Sequence, residues 1–173
     1  MSDDKATRHP NVKNLSEIEP LSREKGARFG FTAKRLAHAA GASGIGCTWY
    51  EQPPGRTAFP HHFHASNEEG LFVLEGRGTV YIGEDKVEIG PGDYVAFPVG
   101  PEHAHHVENT GDEPLRYLCL STQHPVEVVG YPDSGKIGAM AVAPGASWTD
   151  PPWVRGFFRQ DSNVEYYDGE ETD

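Results

Sequence analysis

The stretch FPHHFHASNEEGLFVLEG, residues 59–76, decides the fold, because a histidine cluster in it leads across a turn into an apolar run. Side chains alternate between the two faces of a β-strand, so His62 and His64 project to one face and Phe63 to the other. Two imidazoles side by side in a protein interior are costly unless something engages them. A metal ion does so by binding their deprotonated nitrogens, so the pattern predicts a metal-binding strand.

Two further residues can complete a ligand set with His62 and His64. Glu69 follows across a turn and opens the next apolar strand, so its carboxylate can face the imidazoles. The segment AHHVEN, residues 104–109, adds His105 on one face of a third strand. Three nitrogens and one oxygen, with open positions, suit one divalent ion of iron, manganese, zinc, nickel or cobalt. No organic cofactor site is predicted.

Short predicted strands separated by turn signals fill the middle of the chain. This rhythm is typical of an all-β sandwich or barrel, and we expect helices to be minor. The candidate strands are 30–38, 46–51, 59–64, 71–76, 78–82, 86–89, 94–97, 104–108, 115–121 and 126–130.

The spacing of these residues resembles the two motifs of the cupin superfamily. His62-x-His64-x4-Glu69-x6-Gly76 resembles the first motif, whose two histidines and glutamate are metal ligands. Gly92-x5-Pro98-x-Gly100, followed by a histidine and Asn109, resembles the second. The resemblance implies a small single-domain cupin, a jelly-roll or double-stranded β-helix barrel with a metal ion and a small molecule in its mouth.

The second motif leaves the fourth ligand open between two histidines. His103 fits the family's usual spacing from Gly100, whereas His105 fits the spacing to Asn109. We favour His105, because the loop at Gly100 can absorb an insertion, while a one-residue slip of the strand would turn its side chains to the other face.

Composition divides the chain into three parts. We expect residues 1–28 to be an N-terminal arm, 29–130 the barrel and 131–173 a C-terminal extension. Proline and glycine interrupt regular structure in the extension, but its aromatics argue against a disordered tail, so we expect it to wrap over its own barrel or a partner subunit. Edge strands and this extension favour a homodimer. The aromatics are Trp148, Trp153, Phe157, Phe158, Tyr166 and Tyr167.

Charge and composition limit the classes of partner that the protein can bind. The formal charge is −11, from 26 acidic and 15 basic side chains, which disfavours nucleic acid and anionic membranes because both attract basic faces. The first residues, MSDDKATRHPNVKN, lack an apolar signal segment, and no apolar run reaches membrane length. Cys47 and Cys119 are too few for a disulfide framework. We expect a soluble, cytoplasmic protein with free thiols.

Simpler explanations cover the other candidate residues. We expect the remaining histidines on the surface or satisfied in the core, namely His9, His38, His61, His106 and His124. Four residues could line a cavity, although core packing is favoured for each, namely Tyr50, Tyr81, Tyr117 and Cys119. Lys136 and Arg35 could contact a phosphate, although solvated surface charge is the simpler interpretation. No catalytic acid or base is assigned.

The resemblance implies action on a small molecule and leaves the reaction open. A metal-dependent enzyme would be a dioxygenase with iron, or a sugar-phosphate isomerase, epimerase or lyase with another ion. The alternatives are a non-catalytic module that senses or binds a small ligand or metal, and a barrel with a vestigial site. The intact ligand set disfavours the vestigial site, and the short N-terminal arm offers no DNA-binding domain for a sensor, so we favour an enzyme.

Overall fold

The structure, a computed structural model, describes residues 8–144, 146 and 150–171, and in these residues it is built almost entirely from β-strands. The strands are β1 Leu21–Lys25, β2 Phe29–Arg35, β3 Ile45–Gln52, β4 Phe63–His64, β5 Glu69–Glu75, β6 Gly78–Ile82, β7 Asp85–Ile89, β8 Tyr94–Phe97, β9 His105–Glu108, β10 Leu115–Thr122, β11 Val126–Tyr131, β12 Lys136–Ala141 and β13 Val154–Arg159. The helical elements of this part are α1 Leu36–Ala39 and the 3-10 turns Leu15–Glu17, Pro101–His103 and Pro132–Ser134. None of its helices has the length and apolarity needed to cross a membrane.

The strands pair into three antiparallel sheets, which confirms the all-β jelly-roll barrel. The orders are β1-β2-β3-β10-β5-β8, β13-β12-β11-β4 and β7-β6-β9. A main-chain bridge between His62 and His105 ties the segment before β4 to the start of β9. Strands distant in sequence therefore meet where the predicted ligands lie.

The core lies between the sheets and follows the alternation of the strands. In β5, Leu71 and Val73 are buried while Phe72 and Leu74 are exposed, as a half-buried strand requires. Each fully buried aliphatic side chain contributes about 1.5–3 kcal/mol. The core cluster is Leu71, Val73, Val80, Ile89, Phe97, Val107, Leu115 and Tyr117.

Two glycines permit close geometry. Gly83 has φ 56° in the two-residue connection between β6 and β7, a left-handed conformation that favours glycine. Gly130 of β11 pairs with Phe63 of β4, whose ring occupies the space that a side chain at this position would need. The contact between Gly130 and the Phe63 ring holds β4 against β11, next to the predicted ligand His64.

Two predicted strands are shorter in the structure. The strand predicted at 30–38 ends at Arg35, because the good helix formers of Leu36–Ala39 make a helical turn instead. The strand predicted at 59–64 is reduced to Phe63–His64, since Pro60 has no N–H to donate to a ladder.

The segments expected as arms also contribute strands. β1 pairs with β2, while β12 and β13 extend the sheet that contains β11. The Trp148 side chain, named among the aromatics of the extension, lies outside the described residues.

Candidate metal centre

The structure brings together the four residues predicted as ligands. His62 precedes β4, His64 ends it, Glu69 opens β5 and His105 opens β9. One potential ligand atom from each residue lies within 4.8 Å of those of the other three. The backbone fixes part of this arrangement, because the His62 and His105 amides each donate to the other's carbonyl, at 3.1 and 2.7 Å.

Two of the imidazoles are held with one nitrogen facing the cluster. His62 Nδ1 lies 2.8 Å from the Pro60 carbonyl oxygen, and His105 Nδ1 lies 3.0 Å from that of His103. A carbonyl oxygen only accepts, so in each hydrogen bond Nδ1 is the donor. A neutral ring protonated at Nδ1 leaves the Nε2 lone pair free, which is the form that binds a metal ion.

The third imidazole is oriented by a carboxylate that the sequence did not single out. His64 Nδ1 lies 3.3 Å from Oε2 of Glu127, a buried residue of β11. Glu127 also accepts the backbone N–H groups of Ala65, Ser66 and Asn67, at 3.2, 3.1 and 2.8 Å. One carboxylate thus holds both the imidazole and the turn that leads from His64 to Glu69. The signal for Glu127 in the sequence is a single acidic residue inside the apolar strand VEVVGY.

The surroundings of the cluster shift the pKa values of His62 and His64 in opposite directions. Burial, with His105 and His64 nearby, lowers the pKa of His62 to about 4. Burial alone would also lower the pKa of His64, but the carboxylates of Glu127 and Glu69, each 3.3 Å from one of its nitrogens, outweigh it and raise this pKa to about 9. Burial favours a protonated Glu69, yet the adjacent imidazoles of His105 and His64 hold its carboxyl pKa well below the usual range.

The donor set fits a divalent metal ion. His64 Nε2 is buried and makes no well-aligned hydrogen bond, although Glu69 Oε2 lies 3.3 Å away. His105 Nε2 lies 3.5 Å from the same oxygen. Nitrogens and an oxygen that converge without satisfying one another are the arrangement that an ion would complete.

The structure distinguishes between the two histidines that the second motif left as candidates for the fourth ligand. His103 ends the turn Pro101–His103, and its Nε2 lies 3.8 Å from the exposed carboxylate of Glu102. His105 is 4% exposed and its ring stacks on Phe97, with centroids 3.8 Å apart. His105 therefore belongs to the cluster and His103 does not.

The cluster lines a cavity of about 260 Å³ whose other walls are mainly apolar. Its aromatic lining is Tyr50, Phe59, Phe97, Tyr117 and Tyr131. Tyr50, Tyr117 and Cys119, for which core packing was favoured, thus reach the cavity, although Tyr117 also belongs to the core.

Two histidines beside the ligands were expected to be ordinary surface or core residues, and their surroundings are less simple. His61 Nδ1 lies 3.0 Å from Asp133 Oδ1. His106 lines the cavity and stacks on Tyr81, with ring centroids 4.4 Å apart. Among the described residues, His61 Nε2 and His106 Nδ1 are buried without a hydrogen-bond partner, so each keeps an unused polar atom.

Comparisons with known proteins agree with this architecture. The family model described as "Cupin domain" matches residues 48–121. A solved structure of a sugar phosphate isomerase from Silicibacter pomeroyi is similar with a TM-score of 0.73 and 26% identity, over 90% of this chain and 96% of that one.

Sequence relatives carry different functional names. Auxin-binding protein T92 of Nicotiana tabacum is 34% identical, over 72% of this chain and 70% of the tobacco protein. Quercetin 2,3-dioxygenase of Bacillus subtilis is 28% identical over 76 residues, which cover 43% of this chain and 23% of that enzyme. The chain spans less than half the length of the first curated relatives it matches. The fold, the domain match and these relatives together show that the chain belongs to the cupin superfamily.

Proposed function

We propose that the chain is a metal-dependent enzyme that acts on a small molecule and holds one divalent ion with His62, His64, Glu69 and His105. The observation that carries the proposal is the convergence of these four donors on one point of a cavity. Bound iron would supply redox chemistry toward oxygen, whereas zinc, manganese, nickel or cobalt would supply a Lewis acid.

Of the two reaction classes, oxygen-dependent chemistry of the dioxygenase kind fits the cavity better than sugar-phosphate isomerisation. An isomerase needs a side chain that carries a proton near neutral pH. Burial raises the pKa values of the Tyr50, Tyr117 and Tyr131 phenols and of the Cys119 thiol. Outside the cluster, burial lowers the pKa of the lining residue His106, so this imidazole stays neutral near pH 7 and takes up a proton less readily than a free one. An oxygenase needs no such carrier.

A non-catalytic small-ligand binder is the second candidate. The lining tyrosines and Cys119 stay protonated and uncharged, and such a lining suits a protein that only binds its ligand as well as one that oxidises it. The tobacco relative, named as an auxin-binding protein, supports this alternative.

Oxygen uptake distinguishes the two candidates. The protein is loaded with Fe(II) under anaerobic conditions and mixed with pools of small organic acids and phenols in oxygenated buffer. We expect uptake that depends on the added compound and that disappears in His62→Ala but persists in the matched variant His103→Ala. Compounds that are retained unchanged, with no uptake, would favour the binder.

We also propose that the chain forms a homodimer in the cytoplasm. β13 is an edge strand, and its Phe157 and Phe158 side chains are 68% and 54% exposed. Pairing of edge strands would cover them. The free thiols Cys47 and Cys119 fit a reducing compartment.

A further inference from the structure

The last two strands carry a charge opposite to that of the protein as a whole. β12 and β13 contain Lys136, Arg155 and Arg159 and no acidic residue, in a chain whose formal charge is −11. In the register of the two strands, Lys136 lies directly opposite Arg159. Residues opposite each other point to the same face of a sheet, and like charges placed in this way repel each other. An anion bound at this pair would relieve the repulsion.

The chain's own carboxylates leave the pair uncovered. Among the described residues, neither Lys136 nor Arg159 forms an ion pair. The Lys136 ammonium lies over the Tyr131 ring instead, with Nζ 4.9 Å from the ring centroid. On the same face, the Phe157 ring lies over Gly138 and is 68% exposed. We call this surface, formed by Lys136, Phe157 and Arg159, the cationic face.

The segment that follows β13 has the complementary composition. Residues 161–171, DSNVEYYDGEE, contain five acidic side chains and no basic one. The whole segment is exposed, with Tyr166 at 87% and Tyr167 at 70%. None of its carboxylates forms an ion pair within the described part of the chain. Clustered exposed apolar side chains mark an interaction surface, so this segment has the character of a docking peptide.

A second copy of the chain brings the segment and the cationic face together. If two β13 edges pair antiparallel about a two-fold axis, the end of one strand lies beside the beginning of the other. From there the segment has to cross one strand of six residues, about 20 Å, to reach Lys136 of the partner subunit. The eleven residues 161–171 span up to about 36 Å when extended, which is sufficient.

We infer that residues 161–171 of one copy lie across the cationic face of a second copy, with carboxylates against Lys136 and Arg159 and tyrosines against Phe157. The inference rests on the proposed homodimer and names the segment that crosses between its subunits. Two-fold symmetry forms the contact twice. Local complementarity of this kind offsets the repulsion between two copies that each carry a large negative charge.

Zero-length cross-linking identifies the contact and the copy that supplies it. Isotope-labelled and unlabelled protein are unfolded and refolded together, so that mixed dimers form, and a carbodiimide then joins carboxylates to adjacent lysine amines. We expect mass spectrometry to find residues 161–171 of one isotope linked to the Lys136 peptide of the other. The exposed Lys86 of β7 is the control and should give no such product.

Dimer affinity measures the contribution of the two cations. The double variant Lys136→Gln/Arg159→Gln removes them, and Arg77→Gln/Lys86→Gln removes two exposed cations elsewhere, so both variants have the same net charge. We expect sedimentation at low salt to show a dimer about tenfold weaker in the first variant and almost unchanged in the second. In 1 M salt, where charges are screened within about 3 Å, the difference should vanish.

Native mass spectrometry of the mixed sample separates failure of the two proposals. A parent protein that stays monomeric overturns the homodimer and the contact together. A dimer that gives no cross-link at Lys136, or only cross-links between equal isotopes, overturns the contact and leaves the homodimer standing. Equal losses of affinity in the two double variants would also overturn the contact, because net charge alone would then explain the loss.

Discussion

The Nδ1 atom of His64 lies 3.3 Å from the Oε2 atom of Glu127, on a strand more than 60 residues away in sequence. The contact has two consequences, because Glu127 also accepts three backbone N–H groups of the turn after His64. It orients the imidazole, and it holds the turn that carries the chain to Glu69. A metal ligand supported in this way loses less entropy when an ion binds.

Replacing Glu127 by glutamine should weaken metal binding. The amide keeps the size of the side chain but loses the charge that orients His64, so we expect affinity to fall about 10- to 100-fold. Competition against a chelator measures the change, and the visible spectrum of the Co(II) form reports altered ligand geometry. Glu68→Gln, which changes an exposed carboxylate directly before Glu69 in the sequence, is the matched control. Unchanged affinity and spectrum in Glu127→Gln would mean that the carboxylate only supports the turn.

Replacing each of the two candidate fourth ligands by alanine should affect metal affinity very differently. His105→Ala removes a buried imidazole of the cluster, whereas His103→Ala removes a side chain 35% exposed outside it. We expect titration with Zn(II) to show a large loss of affinity in His105→Ala and almost none in His103→Ala. The reverse order would assign the fourth ligand to the residue spaced from Gly100.

The metal-free protein should lose stability as the pH rises above neutral. The pKa of His64 is raised to about 9 from an ordinary value of 6.5, because the adjacent carboxylates of Glu127 and Glu69 outweigh the desolvation that opposes protonation. The contribution of protonated His64 to the stability of the folded state is fully present below pH 6.5 and is lost as the pH rises through about 9. We expect the free energy of unfolding to fall by roughly 3 kcal/mol across this window.

Urea unfolding of chelator-treated protein at pH 6.5, 8 and 9 checks this expectation. His64→Gln, which cannot take up the proton, should lack most of the decline. Equal slopes in the variant and the parent protein would assign the loss to other groups.

The edge strand β13 should mediate dimer formation. Phe157→Ser removes an aromatic side chain that is 68% exposed and should shift the protein toward monomer without unfolding it. Light scattering at micromolar concentration measures the mass of both forms, with Val87→Ser as a control on the exposed strand β7. A monomeric parent protein would contradict the proposed dimer.

The sequence predicted those features that depend on local period and spacing. His62 and His64 share a face because strands alternate, and the strands around 71–89 follow from their apolar pattern and glycine turns. Glu127 could not be placed, since its role depends on the pairing of β11 with β4, which no local pattern determines. The strands β12 and β13 were missed for a related reason. The pairing of β12 with β11 and of β13 with β12 overrides the weak strand signal of a glycine- and proline-rich segment.

The most direct test of the account is elemental analysis of protein purified without an affinity tag or chelator, and again after reconstitution. We predict close to one equivalent of a divalent metal ion, retained by His103→Ala and lost by His62→Ala and His64→Ala while each variant stays folded. The absence of metal from the reconstituted parent protein, or full occupancy in either ligand variant, would contradict the assignment of the site.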